Sequence, residues 1–197
     1  MVVTKTFVWA HLGKAGGDTV AAVLSLFPEI MEYADDVDSR EKHARFADRP
    51  ELVAGRQRVL CIRRLPSWQL SYSVHKSRYG GAPDYRPRPM DSRETMITAG
   101  VPDRHLNRFV EGGRAWPDRW LRVENLIDDL LGLLEEHHVE VTPKKLKKIR
   151  AIRPQNVGYN YERSVSSWFT DEMISRMYAH NPVWHQAEQL AYGPSPQ

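Results

Sequence analysis

The stretch that decides the fold is Phe7-Val8-Trp9-Ala10-His11-Leu12-Gly13-Lys14-Ala15-Gly16-Gly17-Asp18-Thr19. An apolar run leads into a lysine and a pair of glycines, and a second apolar segment, residues 20–27, follows. This order predicts a strand, a tight loop and a buried helix. Glycines let the backbone turn sharply, so that several N–H groups converge on one point, and a helix N-terminus adds partial positive charge. Because Lys14 adds a full charge, the pattern indicates a site for a phosphate or sulfate group.

The composition favours one globular domain, residues 1–197, because 41% of the 197 residues are hydrophobic. The net charge of +3 suits an anionic ligand without requiring nucleic acid. The densest basic cluster, residues 144–148, follows Thr142-Pro143, a typical helix start, and we interpret it as a solvated helix face. No membrane span and no secretory signal are visible, and Cys61 is the only cysteine. We therefore expect a cytoplasmic protein that binds neither membrane nor nucleic acid.

Strand and helix signals alternate along the chain. Apolar runs predict strands at residues 2–10, 58–62 and 120–123. Helical spacing and capping residues predict helices at residues 18–27, 66–76 and 125–138, from Pro143, after Thr170, and from Pro182 to just before Gly193. This alternation favours an α/β fold, with a central parallel sheet flanked by helices on both faces.

Two sequence features indicate where a ligand would bind. Lys14 and the pair Arg63-Arg64 each follow a predicted strand, and ligands of parallel sheets bind beyond the carboxyl ends of the strands. We expect these cations to converge on one ligand. Residues 79–116 are rich in Gly, Pro, Arg and Asp, and we predict that they form a long excursion that serves as a lid or an acceptor-binding loop.

Three motifs resemble those of the sulfotransferases that use 3′-phosphoadenosine-5′-phosphosulfate (PAPS). His-Leu-Gly-Lys-Ala-Gly-Gly-Asp-Thr, residues 11–19, resembles their 5′-phosphosulfate loop, usually written H-x-P-K-T-G-G-T-T. Val-Leu-Cys-Ile-Arg-Arg-Leu-Pro, residues 59–66, with Ser71-Tyr72-Ser73 resembles their 3′-phosphate element. Leu-Arg-Val-Glu-Asn-Leu, residues 121–126, resembles the family's short strand that ends in Glu before a helix. The resemblance covers about half of the chain, in pieces, and implies a three-layer, P-loop-NTPase-like sulfotransferase fold.

The first motif departs from the family pattern at three positions. Gly13 replaces the usual proline, Ala15 replaces a hydroxyl residue, and Asp18 stands where threonine is usual. A carboxylate near a phosphosulfate would repel it. We interpret Asp18 as the cap of the first helix, where its oxygen would accept hydrogen bonds from backbone N–H groups.

The resemblance implies a transferase that moves a sulfuryl group from PAPS, its co-substrate, to a hydroxyl or amine of a small-molecule or glycan acceptor. The reaction requires no metal. The donor-binding residues implied by the two longer motifs are Lys14, Ala15, Gly16, Gly17, Asp18, Thr19, Arg63, Arg64 and Ser71. Lys14 would also neutralise charge on the leaving oxygen. Arg64 matches the family's Arg-x-Pro spacing and Arg63 the distance to Ser71, so either could bind the 3′-phosphate.

An acceptor hydroxyl needs a base to remove its proton. His43 is the first candidate, because the cytosolic sulfotransferases carry a histidine base at a similar distance before their arginine element. Glu32 is the second, since other branches use a glutamate soon after the first helix, and His11 is the third. The alternative for His43 is an ordinary surface histidine in a polar helix.

Two other classes compete with this interpretation. A P-loop nucleotide kinase or NTPase shares the architecture. Its loop has the pattern G-x-x-x-x-G-K followed by Ser or Thr, so the lysine comes after the glycines. Here Lys14 precedes the glycine pair, which argues against this class. A non-catalytic nucleotide-binding relative is favoured by Ala15 and Asp18. The sequence indicates neither the acceptor nor the oligomeric state.

Overall fold

The computed structural model describes residues 1–36, 43–77, 91–153 and 162–193. The chain divides into two compact units. The first unit comprises Met1–Ile62 and Phe109–Gln155, and the second comprises Arg63–Arg108 and Asn156–Gln197. The single domain expected for residues 1–197 stays a prediction.

A five-stranded mixed sheet forms the centre of the first unit. Its strands are β1 (Val2–Thr4), β2 (Phe7–Ala10), β3 (Met31–Ala34), β4 (Gln57–Ile62) and β5 (Arg119–Arg122), in the order β3-β1-β2-β4-β5. The pairs β2–β4 and β4–β5 are parallel, whereas β1 runs antiparallel to both β2 and β3. The predicted parallel sheet is therefore confirmed for β2, β4 and β5 and is wrong for β1 and β3.

The predicted single strand at residues 2–10 is wrong, because it is a hairpin of β1 and β2 with Lys5 and Thr6 at the turn. The Thr4 hydroxyl stabilises this turn: Oγ1 accepts from Phe7 N at 3.0 Å and donates to Phe7 O at 2.9 Å. The apolar run is thus interrupted by three polar residues, Thr4-Lys5-Thr6, which let Val2 and Val3 pair with the strand that leads to the loop.

Burial agrees with the interior positions of β2 and β4 in the sheet. All of β2 and the last four residues of β4 are buried, so that both faces of these strands are covered, as in α/β sheets. The helices of the first unit are α1 (Gly17–Leu24), α2 (Pro50–Val53), α6 (Leu126–Glu136) and α7 (Pro143–Ala151). Thr142 caps α7 as predicted, its hydroxyl accepting from Lys145 N at 3.3 Å. The architecture is α/β and compatible with an α/β sandwich.

The described part of the second unit is helical. Its helices are α3 (Leu65–Ser77), α4 (Arg93–Thr98), α8 (Asp171–Ala179) and α9 (Pro182–Tyr192), while α5 (Val101–Val110) extends past Arg108. Trp68 and Trp184 are fully buried, with their ring centroids 4.9 Å apart, and form part of its core. The predicted Thr170 cap is confirmed by a 3.3 Å bond from Met173 N.

The excursion predicted at residues 79–116 lies partly outside the described residues, which omit 78–90. From residue 91 onward it contains α4, α5 and the turn Glu111–Gly113, so this part is more regular than its composition suggests. Ser92 caps α4 through a 3.1 Å bond from Thr95 N. None of the helices in the described ranges combines the length and apolar character that a bilayer crossing requires.

Candidate functional site

The loop between β2 and α1 turns through two left-handed residues. Lys14 has φ 63° and Gly16 has φ 76°. Ala15 N donates to Leu12 O at 3.3 Å, and Thr19 N donates to Gly16 O at 3.0 Å, so the chain closes tightly before α1 begins at Gly17. A lysine in the left-handed region is uncommon, and such strain concentrates at functional sites. The loop follows the carboxyl end of β2, beside the parallel strand β4.

Packing explains both glycines of the pair. A Cβ on Gly16 would lie 2.8 Å from Leu126 Cδ2, at the start of α6. A Cβ on Gly17 would lie 2.0 Å from Nε2 of His11, much closer than van der Waals contact allows, so it would clash with the imidazole ring. The loop is therefore closed on one side by the turn after β5 and on the other by His11. The turn is part of the third motif, residues 121–126.

The interpretation of Asp18 as the helix cap is wrong. Gly16 occupies the N-cap position, and Asp18 is the second residue of α1. The left-handed turn brings a glycine, which has no capping side chain, to that position. A carboxylate in the first helical turn is nevertheless favourable to the helix dipole, and this is a stabilising role for Asp18.

The remaining loop residues differ in exposure. Ala15 is fully buried and Thr19 is 8% exposed, so their side chains belong to the interior. Lys14 and Asp18 are half-buried. Where the family has a hydroxyl residue, this chain therefore has a buried methyl group, that of Ala15. The loop side chains that a ligand can contact therefore include the Lys14 cation and the Asp18 carboxylate.

The structure brings His43 to the loop although 32 residues separate it from His11. His43 Nδ1 lies 3.0 Å from the backbone oxygen of His11, and the two ring centroids are 4.6 Å apart. Cε1 of His43 would lie 3.9 Å from a Cβ on Gly13, immediately before Lys14. A polar turn from a distant part of the first unit thereby places an imidazole beside the candidate anion site.

Glu32 lies at the other end of the sheet. Its strand β3 runs antiparallel to β1, and Met31 is opposite Thr4, where β2 begins. The Glu32 carboxylate accepts from Arg56 Nη2 at 2.6 Å, and Arg56 immediately precedes β4. The length of β2, about 10 Å, separates this end from the loop. The structure does not bring Glu32 together with Lys14.

The second motif continues into the second unit, where a buried carboxylate holds Arg64. Arg64 Nη1 donates to Glu188 Oε2 at 3.0 Å, and Leu65 N donates to Oε1 at 2.6 Å. Glu188 is 3% exposed, and Tyr178 Oη also donates to it, at 3.1 Å. Burial raises the pKa of Glu188, and these donors oppose the shift. Glu188 cannot be found from sequence, because it lies 124 residues from Arg64.

Arg63 and Ser71 occupy the same segment. The backbone oxygen of Arg63 accepts from Trp184 Nε1 at 3.0 Å, which fixes the chain just before α3. Ser71 is half-buried on α3. The neighbouring hydroxyl, Ser73 Oγ, accepts from Asp91 N at 3.0 Å. Within the second unit, Arg64 therefore has an internal anionic partner and Arg63 has a fixed backbone.

A second buried carboxylate, which the sequence motifs do not reveal, orders the turn after β5. Asp129 accepts from Arg122 N at 2.7 Å and from its Nε at 2.9 Å, and its other oxygen accepts from Nη2 at 2.6 Å. Arg122 ends β5, and Asp129 lies seven residues later on α6. This pair holds the segment whose Leu126 closes over Gly16.

Searches against family models, curated proteins and solved structures found no significant match to the chain.

Proposed function

We propose that the chain is a sulfotransferase that moves a sulfuryl group from PAPS to a hydroxyl or amine of an acceptor. One observation carries this proposal: the strand–loop–helix of residues 7–24 turns through a left-handed Lys14 and Gly16 at the carboxyl end of β2. The loop combines a helix N-terminus with a lysine, which favours a phosphate or sulfate group. The motif resemblance selects PAPS among such anions, with the three-layer sulfotransferase arrangement as part of the proposal.

The residues present fit the 5′ end of the donor. The left-handed turn at Lys14 and Gly16 leads directly into the N-terminus of α1, and Lys14 adds its positive charge there. PAPS supplies the sulfuryl group and the adenosine bisphosphate that leaves. Lys14 neutralises the charge that develops on the leaving oxygen, an effect commonly worth several kcal/mol in such sites. No metal is needed for this role.

His43 is the proposed base. The fold brings its ring to Gly13, which immediately precedes Lys14, whereas Glu32 is ion-paired at the far end of the sheet. A neutral imidazole can act as a general base that removes the proton of an acceptor hydroxyl. The acceptor class, a small molecule or a glycan, stays part of the proposal.

Arg63 is the proposed ligand of the 3′-phosphate, with Ser71 as a second donor. The reason lies in its neighbour, because Arg64 already binds the buried Glu188 carboxylate. Replacing that partner by a ligand would leave a charge buried without its cation, which is costly. We further propose a cytoplasmic location, which the single, buried cysteine supports.

A second candidate function is a nucleotide-binding protein without transferase activity. The Asp18 carboxylate, half-buried in the first turn of α1, favours it, because a carboxylate there opposes a sulfonate or phosphate. Tight binding of the desulfated donor without transfer to any acceptor would support this candidate.

Calorimetry with 3′-phosphoadenosine-5′-phosphate (PAP), AMP and ATP tests the proposal. We expect PAP to bind far more tightly than AMP, and Arg63→Ala to cost about 2 kcal/mol of PAP binding while AMP binding stays unchanged. Lys14→Ala should abolish transfer from PAPS to an acceptor panel while the chain stays folded.

Lys5→Ala is the matched control for charge, since Lys5 is exposed in the turn at the opposite end of β2. It should bind and transfer as the parent does. Equal affinity for PAP and AMP, or transfer by Lys14→Ala within threefold of the parent, would refute the assignment.

A further inference from the structure

The contact between His11 and His43 beside the loop determines which nitrogen of His43 carries the hydrogen in the neutral ring. The inference drawn from it rests on the proposed function. His43 Nδ1 lies 3.0 Å from the backbone oxygen of His11. A carbonyl oxygen only accepts, so the hydrogen of this bond belongs to Nδ1. A neutral imidazole carries one hydrogen on its two nitrogens. The lone pair of neutral His43 is therefore on Nε2.

The ring edge that carries both nitrogens of His43 lies beside the loop. Cε1 is the atom of His43 nearest to a Cβ position on Gly13, at 3.9 Å. Cε1 is bonded to both ring nitrogens, so the Nδ1–Cε1–Nε2 edge of the ring lies beside Gly13, which immediately precedes Lys14. Nδ1, on the other side of Cε1, is occupied by the His11 carbonyl. The two nitrogens therefore differ: Nδ1 is engaged in the hydrogen bond that orients the ring, and Nε2 keeps the lone pair of the neutral ring.

The carbonyl that orients His43 belongs to a fixed residue. His11 directly follows β2 and is 8% exposed. Its ring stacks on Trp9, with a centroid distance of 5.4 Å and an interplanar angle of 26°, and it also packs against the His43 ring and the backbone of Gly17. A ring enclosed in this way has little freedom to turn, and a donor–acceptor pair anchored on a strand end is held more precisely than one on a loop.

We propose that His11 is the positioning residue of the site: it holds His43 as the Nδ1–H tautomer and leaves Nε2 as the proton-accepting atom. The proton that the acceptor hydroxyl loses passes to Nε2, and the resulting imidazolium keeps its bond to the His11 carbonyl. The ring therefore takes up and releases a proton without turning. Orientation by a backbone carbonyl is a known way to set the tautomer of a functional histidine.

The tautomer can be measured on the free protein. Two-bond proton–nitrogen correlation spectra of the uniformly ¹⁵N-labelled chain at about pH 8.5, two units above the ordinary titration point of an imidazole, distinguish a protonated ring nitrogen from a bare one. His43→Phe identifies the His43 signals by their loss. We expect a protonated Nδ1 and a bare Nε2. A protonated Nε2, or an average of the two tautomers, would overturn the inference.

Two substitutions at His11 test its positioning role. His11→Ala removes the enclosed ring, and we expect mixed His43 tautomers and a fall in kcat of about 10- to 100-fold, with unchanged PAP affinity. His11→Phe retains an aromatic ring between Trp9, His43 and Gly17, and should restore the single tautomer and most of kcat. Alanine retains the backbone carbonyl, so if His11→Ala keeps the Nδ1–H tautomer and the parent's kcat, the His11 ring does not contribute to positioning His43, and the proposed role of this side chain is refuted.

The proposed function and the positioning role fail separately. If the chain transfers no sulfuryl group to any acceptor, the proposed function fails, while the tautomer of His43 in the free protein is still decided by the spectra. If transfer is observed and Nε2 is protonated in the neutral ring, only the positioning role fails.

Discussion

Gly17→Ala should strongly destabilise the protein, although alanine is the better helix former. A Cβ at this position would lie 2.0 Å from Nε2 and 2.1 Å from Cδ2 of His11. To reach ordinary van der Waals contact, the imidazole would have to move by more than about 1 Å, and overpacking of this kind typically costs about 1–3 kcal/mol. Because His11 is enclosed by Trp9 and His43, we expect the upper end, about 3 kcal/mol.

Gly132→Ala is the matched control, because this glycine is also helical, in α6. A Cβ there would lie 3.7 Å from Arg119 Nη2, an ordinary contact. Replacing a helical glycine by alanine gains up to about 1 kcal/mol where there is room. The two substitutions make the same chemical change and should act in opposite directions.

Urea unfolding followed by tryptophan fluorescence measures both effects. With an m-value of about 2 kcal/mol/M, Gly17→Ala should lower the midpoint by about 1.5 M, and Gly132→Ala should raise it by up to about 0.5 M. In the His11→Ala background, Gly17→Ala should cost far less, since the ring is gone. A Gly17→Ala protein as stable as the parent, or one equally destabilised in both backgrounds, would refute a clash with the His11 ring.

Three further outcomes are expected. Arg64→Ala should lower the free energy of unfolding by about 1–2 kcal/mol at pH 7, a value reduced because Arg64 is 39% exposed. The loss should shrink as the pH falls toward about 4, since burial raises the pKa of Glu188 and protonation removes the buried charge; equal losses at both pH values would contradict this. His43→Ala should reduce transfer by about 10²- to 10⁴-fold, whereas Glu32→Gln should leave it near the parent, and the reverse result would make the glutamate the base. Burial raises the pKa of the Cys61 thiol to about 12, so the native protein should not react with a thiol-specific disulfide reagent at about pH 8, while the urea-unfolded chain should.

Local sequence signals predicted those features of the fold that depend on neighbouring residues. The loop at Lys14, the caps at Thr142 and Thr170, and the strands at residues 58–62 and 120–123 each carry their signal within a few positions. The β1–β2 hairpin was missed because its turn, Lys5-Thr6, lacks the glycine or asparagine typical of two-residue hairpins. The edge strand β3 was missed because Met31-Glu32-Tyr33-Ala34 contains no β-branched residue.

The parts of the site that sequence could not reveal depend on distant contacts. Whether Glu32 lies near the loop depends on the direction of β3, and antiparallel pairing with β1 takes it to the far end of the sheet. The proximity of His43 to His11 joins residues 32 positions apart, and the Arg64–Glu188 pair joins residues 124 positions apart. Periodicity and capping contain no information about such pairs. The start of α1 was also predicted incorrectly from local sequence: the N-cap is the left-handed Gly16, two residues before Asp18.

The bond between Arg64 and Glu188 also has a consequence for the order of events on the ribosome. The second unit is assembled from two segments, and the first unit can complete its sheet once β5 has emerged, before Glu188 has been translated. At roughly 5–20 residues per second, the interval between residue 153 and residue 188 lasts about 2–7 s. During this time, α3 has been synthesised, but Trp184, which packs against Trp68 in the finished protein, has not. A nascent chain stalled near residue 160 should therefore expose an apolar surface around Trp68 that chaperones recognise and that the finished protein hides.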